Sequence, residues 1–201
     1  RTEIHTLSLH DALPIFSKKK THVIEIHAGQ ITTTDLTISL PPTLNFEPFG
    51  GYSKIAAVER HHNTGKIGVA VAKGYGIRNG AVASSVSHDS HNIIVIGDND
   101  VDMAIAVNEI IRTQGGYTVV ENGKVYETLA LPIMGLMSDA GFENVNEALQ
   151  RMIQKAHQMG VASQIDPFVT LSFLALPVIP ELRITPRGIC KMTAKGPAIL
   201  S

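Results

Sequence analysis

A short segment between two apolar runs carries the densest group of reactive side chains in this sequence. It reads Ser87-His88-Asp89-Ser90-His91-Asn92, with two imidazoles, a carboxylate, two hydroxyls and an amide in consecutive positions. Imidazoles change protonation near neutral pH and bind metal ions. A turn needs only one or two polar side chains of this kind. This segment, called the crest below, predicts either an edge that faces substrate or metal, or a turn shaped by Asp89 and Asn92 beside solvated histidines.

A second group of candidate residues ends another apolar run, in the sequence Glu59-Arg60-His61-His62. In an extended chain His61 and His62 point to opposite faces, so at most one of them enters any given site. From spacing alone, the best cluster is His88, Asp89 and His91 with one of these two histidines. That cluster supplies too few ligands for a complete catalytic metal site.

The elements that position these residues are predicted from hydrophobic periodicity and turn residues. Two short apolar runs flank the crest, as buried strands do. A mixed pattern of strands, helices and hairpins predicts an α+β fold with mixed β-sheets and flanking helices. The predicted strands cover residues 23–26, 36–40, 54–60, 67–72, 81–86, 93–96, 117–120 and 124–129, and the predicted helices cover 101–113 and 144–160.

Several segments are less regular. Residues 166–177 are apolar on both faces, which is typical of a central strand or a buried packing segment. Residues 132–139 form an apolar loop with two methionines, either a packed surface loop or a lip over a site. The residues from Lys191 onward lack a clear pattern and predict an irregular tail.

Composition excludes several classes of protein. The chain has 201 residues, 44% hydrophobic and 17% charged, and Lys+Arg at 17 nearly cancel Asp+Glu at 18. A basic surface for nucleic acid is therefore not indicated, and no apolar run has the length of a membrane span. The single cysteine, Cys190, excludes an internal disulfide framework and a zinc site with several cysteines. A reducing, cytoplasmic setting is the expectation.

The first fifteen residues follow neither the helical nor the strand period. The segment LSLHDALPI within them resembles a conceptual translation of a sequencing adapter, so we interpret residues 1–15 as an artefact fused to a truncated reading frame. A disordered native N-terminus is the alternative and leads to the same fold prediction. Residues 16–52 are then predicted to form short strands and a linker from a preceding domain, 53–190 the main α+β domain, and 191–201 the tail.

Common hydrolase motifs are absent from the sequence. It contains no H-x-H, no H-E-x-x-H and no H-x-E combined with P-C-x-x-C, so the usual zinc protease and zinc deaminase sites are excluded. There is also no G-x-S-x-G nucleophile elbow.

The combination of ERHH, SHDSHN, LPIMGLMSD and LSFLALPVIPEL, within residues 21–188, resembles the C-terminal domain of bacterial adenine deaminases. The resemblance implies an enzyme whose N-terminal amidohydrolase barrel holds a dinuclear manganese or iron centre and hydrolyses adenine to hypoxanthine and ammonia, in purine salvage. The ligands of that barrel would lie upstream of Thr21, so they correspond to no position of this sequence. We therefore expect the fragment to be inactive by itself.

Because polar and imidazole groups gather at the ends of apolar strands, our hypothesis is that the crest and the ERHH segment face the barrel mouth in the complete enzyme. There they would close over adenine, bond its ring nitrogens, or hold an accessory metal through His88 and His91. The candidate substrate-facing residues are His61, His62, Ser87, His88, Asp89, His91 and Asn92.

Adenine is the expected partner of the complete enzyme, with no nucleic acid and no membrane, and a homo-oligomer is expected. A purely structural domain interface is the competing interpretation of the cluster. Two alternatives for the whole chain are a non-catalytic interaction or regulatory module and a stand-alone metal-binding domain.

Overall fold

The large sheet of this protein is built from eight strands, within the residues 20–39 and 50–200 that a computed structural model describes. Its strands are β1 Thr21–Ile26, β2 Thr33–Ile38, β3 Tyr52–Val58, β4 Ile67–Lys73, β5 Gly80–Ser84, β6 Ile93–Gly97, β7 Gly116–Glu121 and β8 Lys124–Ala130. They lie in the order β2-β1-β4-β3-β6-β5-β7-β8, and only β1 and β4 pair in parallel. Three helices, α1 Asp100–Arg112, α2 Phe142–Gln158 and α3 Pro167–Phe173, complete the expected α+β class.

The two faces of this sheet form separate cores, because successive strand residues point to opposite sides. On one face Ala56 and Val95 pack in a cluster with Met103 and Val107 of α1. On the other face the sheet packs against α2, α3 and a small second sheet. None of the helices in the described ranges is both long and apolar enough to cross a membrane.

Local signals in the sequence account for most element boundaries. Asn99 caps α1 by accepting a hydrogen bond from the Asp102 backbone N–H, as expected for a helix that follows Asp98-Asn99-Asp100. Asn122 and Gly123 both have positive φ angles, which the tight turn between β7 and β8 requires. These predictions are confirmed to within a few residues.

The prediction of a central strand over residues 166–177 is wrong, since α3 occupies Pro167–Phe173. The Asp166 carboxylate accepts hydrogen bonds from the backbone N–H groups of Phe168 and Val169, at 3.0 and 2.8 Å. Pro167 follows this cap in the first turn, where its fixed φ favours a helix. The alternative of a buried packing segment agrees with the burial of Phe168 and Leu171.

The prediction of an irregular tail from Lys191 is also wrong. The second sheet contains β9 Leu182–Thr185, β10 Gly188–Thr193 and β11 Gly196–Ile199, in the order β11-β10-β9. Residues of β11 are mostly exposed, so they show no alternation of apolar and polar side chains. The turn before β11 depends on Gly196, whose φ is +106°.

Residues 20–39 belong to the same sheet as the main domain, whereas the sequence placed a domain boundary at residue 52. Strand β1 pairs with β4, with Val23 opposite Val71. The fully buried Arg183 of β9 also donates to the Thr33 hydroxyl at 2.8 Å and to the Ile31 carbonyl at 2.6 Å. Burial lowers the pKa of Arg183 to about 10. The predicted artefact at residues 1–15 and most of the predicted linker lie outside the described residues.

A buried ion pair joins the sheet to α1 and gives a test of this packing. The Lys54 ammonium lies 2.7 Å from the Asp100 carboxylate, with side chains only 4% and 7% exposed. Lys54→Met removes the cation from a buried carboxylate, so we expect the free energy of unfolding to fall by about 3–5 kcal/mol. Urea unfolding followed by circular dichroism measures the change.

The exposed Lys66 provides the matched control for this substitution. Lys66→Met is expected to change the free energy of unfolding by less than about 0.5 kcal/mol. Equal effects of the two substitutions would contradict a structural role for the buried pair.

Candidate functional site

Strand pairing brings four loops to one end of the large sheet. Val58 lies opposite Ile93, and Ser84 lies opposite Ile94, so β3 and β5 end where β6 begins. Strand β7 begins and β8 ends at this same end. The loops that meet there are residues 59–66, 85–92, 113–115 and 131–141. The crest and the ERHH segment are therefore neighbours in space, although some 25 residues separate them.

Arg60 connects its own loop to the other three. Its Nε donates to the His91 carbonyl at 2.6 Å, and its Nη2 donates to the Met134 carbonyl at 2.7 Å. A longer contact of 3.5 Å joins Nη1 to the Gln114 carbonyl. Burial lowers the pKa of Arg60 from its ordinary value. The five donors of a guanidinium have fixed geometry, so these contacts set the relative positions of the loops.

Glu59 holds the neighbouring turn. Its carboxylate accepts from the backbone N–H groups of His61, His62 and Thr64, at 2.6, 2.8 and 3.1 Å. Although burial raises the pKa of Glu59, these hydrogen bonds outweigh it and lower the pKa to about 2. The carboxylate is therefore ionised at neutral pH and engaged by the turn, so it is a poor base for a substrate.

The two adjacent histidines have different surroundings. The His61 Nε2 lies 2.6 Å from the Ser90 carbonyl, so this imidazole contacts the crest. The His62 side chain is 80% exposed, and its Nδ1 lies 3.3 Å from the Glu59 carboxylate. Of these two candidates, only His61 is brought to the crest.

Two of the predicted substrate-facing residues have their side chains inside the crest. Ser87 and Asn92 are both buried. The Ser87 hydroxyl donates to the Asn92 carbonyl at 2.6 Å, and the Asn92 side chain accepts from the Arg60 backbone N–H at 3.2 Å. The Asn92 amide also donates to the Ser90 hydroxyl at 3.1 Å. These two side chains shape the loop, as the turn interpretation expected for Asn92.

His88, Asp89 and His91, together with the exposed Ser90, form the accessible part of the crest. Asp89 is exposed, and the two imidazoles are half-buried with ring centroids 6.1 Å apart. The His88 ring also lies 5.0 Å from the ring of Phe173 on α3. This aromatic contact was not foreseen from the sequence, because residues 166–177 were not recognised as a helix.

His91 is held in an unusual environment. Its φ is +49°, and its Nδ1 is buried with no hydrogen-bond partner among the described residues. Burial lowers the pKa of His91, and electrostatic interactions with His88 and Arg60 lower it further. His91 is therefore a neutral imidazole near pH 7, with one ring nitrogen left for a ligand or an enclosed water.

The described residues do not fit a dinuclear metal centre. Within residues 20–39 and 50–200, no three side chains of His, Cys, Asp or Glu come together in an arrangement suited to a metal ion. The crest brings together two imidazoles, whereas zinc centres in proteins use three or four protein ligands. A stand-alone metal-binding domain has no support from this part of the chain.

The contacts of Arg60 generate a first prediction about the site. Lysine has a single ammonium, which cannot reach the His91 and Met134 carbonyls in the same way. We expect Arg60→Lys to lower the free energy of unfolding by about 1.5–3 kcal/mol, through the loss of at least one charged hydrogen bond. Denaturant unfolding measures this, with the exposed Arg187→Lys as control. Equal stability of the two variants would rule out the proposed linkage.

The environment of His91 generates a second prediction. An unfolded histidine has a pKa of about 6.5, above that of folded His91. As the pH falls below about 6.5, the unfolded chain binds this proton more readily, and stability is lost. Asparagine tolerates the positive φ of residue 91. We therefore expect the melting temperature of the His91→Asn variant to fall less between pH 7 and pH 5 than that of the unsubstituted chain. Parallel pH profiles would show that His91 does not contribute.

Comparison with known proteins agrees with the resemblance carried by the crest and ERHH segments. A family model described as the adenine deaminase C-terminal domain matches residues 30–195. This match covers most of the chain, including every loop at the crest end of the sheet.

Full-length relatives show the same relationship. The chain is 46% identical to an adenine deaminase of Desulfitobacterium hafniense (strain Y51), over 94% of this chain and 34% of that protein. It is 52% identical to one of Nitratidesulfovibrio vulgaris (strain DP4), over 83% and 30%, and 42% identical to one of Bacillus subtilis (strain 168), over 88% and 31%. The chain thus spans about a third of the length of the curated relatives it matches, and it belongs to the adenine deaminase C-terminal domain family.

Proposed function

We propose that this chain acts as part of an adenine deaminase that hydrolyses adenine to hypoxanthine and ammonia, in purine salvage. The family match and the names of its relatives support this proposal. The manganese or iron ions would be held by the part of the enzyme that precedes this domain, because the described residues do not fit such a centre. A cytoplasmic location and a homo-oligomeric complete enzyme belong to the same proposal.

The direction of β1 is the observation that carries the role of the crest. Strand β1 runs parallel to β4, with Val23 opposite Val71. Strand β4 pairs antiparallel with β3, so Ile67 at its start lies opposite Val58 at the end of β3. Thr21 is therefore level with Val69, two residues inside the crest end, and β1 runs away from the crest. A domain that precedes β1 would therefore join on the crest side of the sheet, two strands across from β3 and the His61 that follows it.

The accessible crest side chains have the chemistry to bind a purine. Adenine presents an amino group that donates hydrogen bonds and ring nitrogens that accept them. The Asp89 carboxylate accepts from an amino group, and a neutral imidazole such as His91 donates from one nitrogen and accepts at the other. We assign these residues to closing the active site over adenine, while Arg60, Glu59, Ser87 and Asn92 position them.

A chimera tests the proposal directly. It joins the preceding part of the Desulfitobacterium hafniense relative to this chain from Lys20 onward, and ammonia release from adenine is measured with manganese present. We expect activity in the chimera and none in this chain alone. Activity in the chain alone would contradict the proposed location of the metals.

Substitutions in the same chimera test the crest. His88→Ala, Asp89→Ala and His91→Asn are each expected to lower kcat/KM about 10- to 100-fold, the effect of losing one or two hydrogen bonds to substrate. His157→Ala is the matched control, because this histidine lies at the end of α2, near Arg78 and away from the crest. Unchanged kcat and KM in all three crest variants would leave the cluster a purely structural interface.

A further inference from the structure

The loop after β8 presents a fixed apolar tip at the crest end of the sheet. We call this tip the lip and define it as Ile133, Met134 and Met137. The Ile133 N–H donates to the Met137 carbonyl at 3.1 Å, and the Leu136 N–H donates to the Ile133 carbonyl at 3.1 Å. The lip therefore lies on a closed turn and not on an open loop.

Neighbouring loops anchor the backbone of this turn. The Met134 carbonyl accepts from the Arg60 guanidinium, and the Gly135 carbonyl accepts from the buried Ser85 hydroxyl at 2.7 Å. Any side chain on Gly135 would meet the Arg60 guanidinium, because a Cβ there would lie 2.5 Å from Nη1. The turn is thus packed tightly on its inner side.

The side chains of the lip point outward despite this tight anchoring. Met134 is 77% exposed, Met137 54% and Ile133 44%. Met134 and Gly135 both have positive φ angles, +59° and +74°, and Asn or Asp is favoured before Gly in such a turn. Neither the turn nor the core of the domain favours methionine at this position. Exposed methionines on a fixed backbone are, however, well suited to contact another apolar surface.

We propose that the lip is a docking surface for the catalytic part of the adenine deaminases that precedes this domain, an inference that rests on the proposed function. The matched relatives are about three times longer than the aligned region, so most of their length lies outside it. Strand β1 starts nearer the crest end than the opposite end, so a preceding part would enter on the side of the sheet that carries the lip, six strand positions away from β8. The Arg60 guanidinium donates to the Met134 and His91 carbonyls, so the lip and the crest are held as neighbours.

Methionine oxidation provides a direct test, because the chain contains its own controls. Hydrogen peroxide oxidises exposed methionines, and mass spectrometry gives a rate for each of the six. In this chain alone Met134 and Met137 should react fast, while the buried Met103, Met152 and Met159 react slowly. In the chimera with the preceding part we expect Met134 and Met137 to react at least tenfold more slowly, with Met192 of the second sheet unchanged.

Equal oxidation of Met134 and Met137 in the chain and the chimera would overturn the docking surface. That result would leave the proposed function intact if crest substitutions still lowered the activity of the chimera. Conversely, Met134 and Met137 could be protected in a chimera that is inactive, or whose activity does not respond to crest substitutions. That result would support the lip as a docking surface and reject the proposed role of the crest. If Met134 and Met137 in the chain alone become more protected as the protein concentration rises, the lip binds a second copy of the chain. That result would overturn the proposal.

A charged substitution separates docking from folding. Asp tolerates the positive φ of residue 134, so Met134→Asp in the chain alone should melt no lower than the unsubstituted chain. In the chimera we expect it to raise the oxidation rate of Met137 at least threefold. Val101→Asp is the matched control, because Val101 is 57% exposed and lies at the opposite end of the sheet, where β6 meets α1. An unchanged rate for Met137 in the Met134→Asp chimera would overturn the proposal.

Discussion

The arrangement of the crest end depends on one guanidinium group. Arg60 lies just after the end of β3, and its guanidinium donates to carbonyl groups on the crest and on the loop after β8. Because these acceptors are backbone atoms, the contacts fix where the loops run without engaging the side chains that the loops carry. An ion pair with a carboxylate would have fixed a single side chain. The guanidinium instead fixes the backbone of the loops, so the imidazoles of His88 and His91 are not used in these contacts.

The polar residues at this end divide into two groups by what their hydrogen bonds do. Glu59 and Asn92 accept from backbone N–H groups, and Ser87 donates to a backbone carbonyl, so all three stabilise turns. Asp89 is exposed, and His91 keeps a buried ring nitrogen without a partner in the described part of the chain. An unsatisfied buried nitrogen carries a free energy cost. A ligand or partner domain that supplied a donor or acceptor would remove this cost.

The sequence predicted much of the fold because its strongest signals are local. The short apolar runs of β3 to β6, the Asn99 cap of α1 and the Asn122-Gly123 turn each depend on neighbouring residues. Segment 166–177 was missed as a helix because apolar residues cover both of its faces, so neither period stands out. The sequence alone identified which residues form the crest. It did not show which of their side chains stabilise the loop and which are accessible. Ser87 and His88 are adjacent and similarly polar, and only the folded loop decides which of them points inward.

Apart from the Arg183 Nε near the turn between β1 and β2, which also has no partner in the described residues, the two ends of the sheet differ in how completely their polar groups are satisfied. At the end opposite the crest, Asp98 accepts from the Gly80 N–H at 2.9 Å, Asp102 accepts from the Gly123 N–H at 2.6 Å, and Lys54 pairs with Asp100. Those acidic groups are bound within the domain. At the crest end, the His91 Nδ1 and the hydroxyl of Ser172, whose carbonyl accepts from the His88 N–H, are buried without partners in the described residues. Since β1 also starts nearer the crest end and runs away from it, the side of the sheet with these unsatisfied groups and the exposed methionines is the one that a preceding domain would meet.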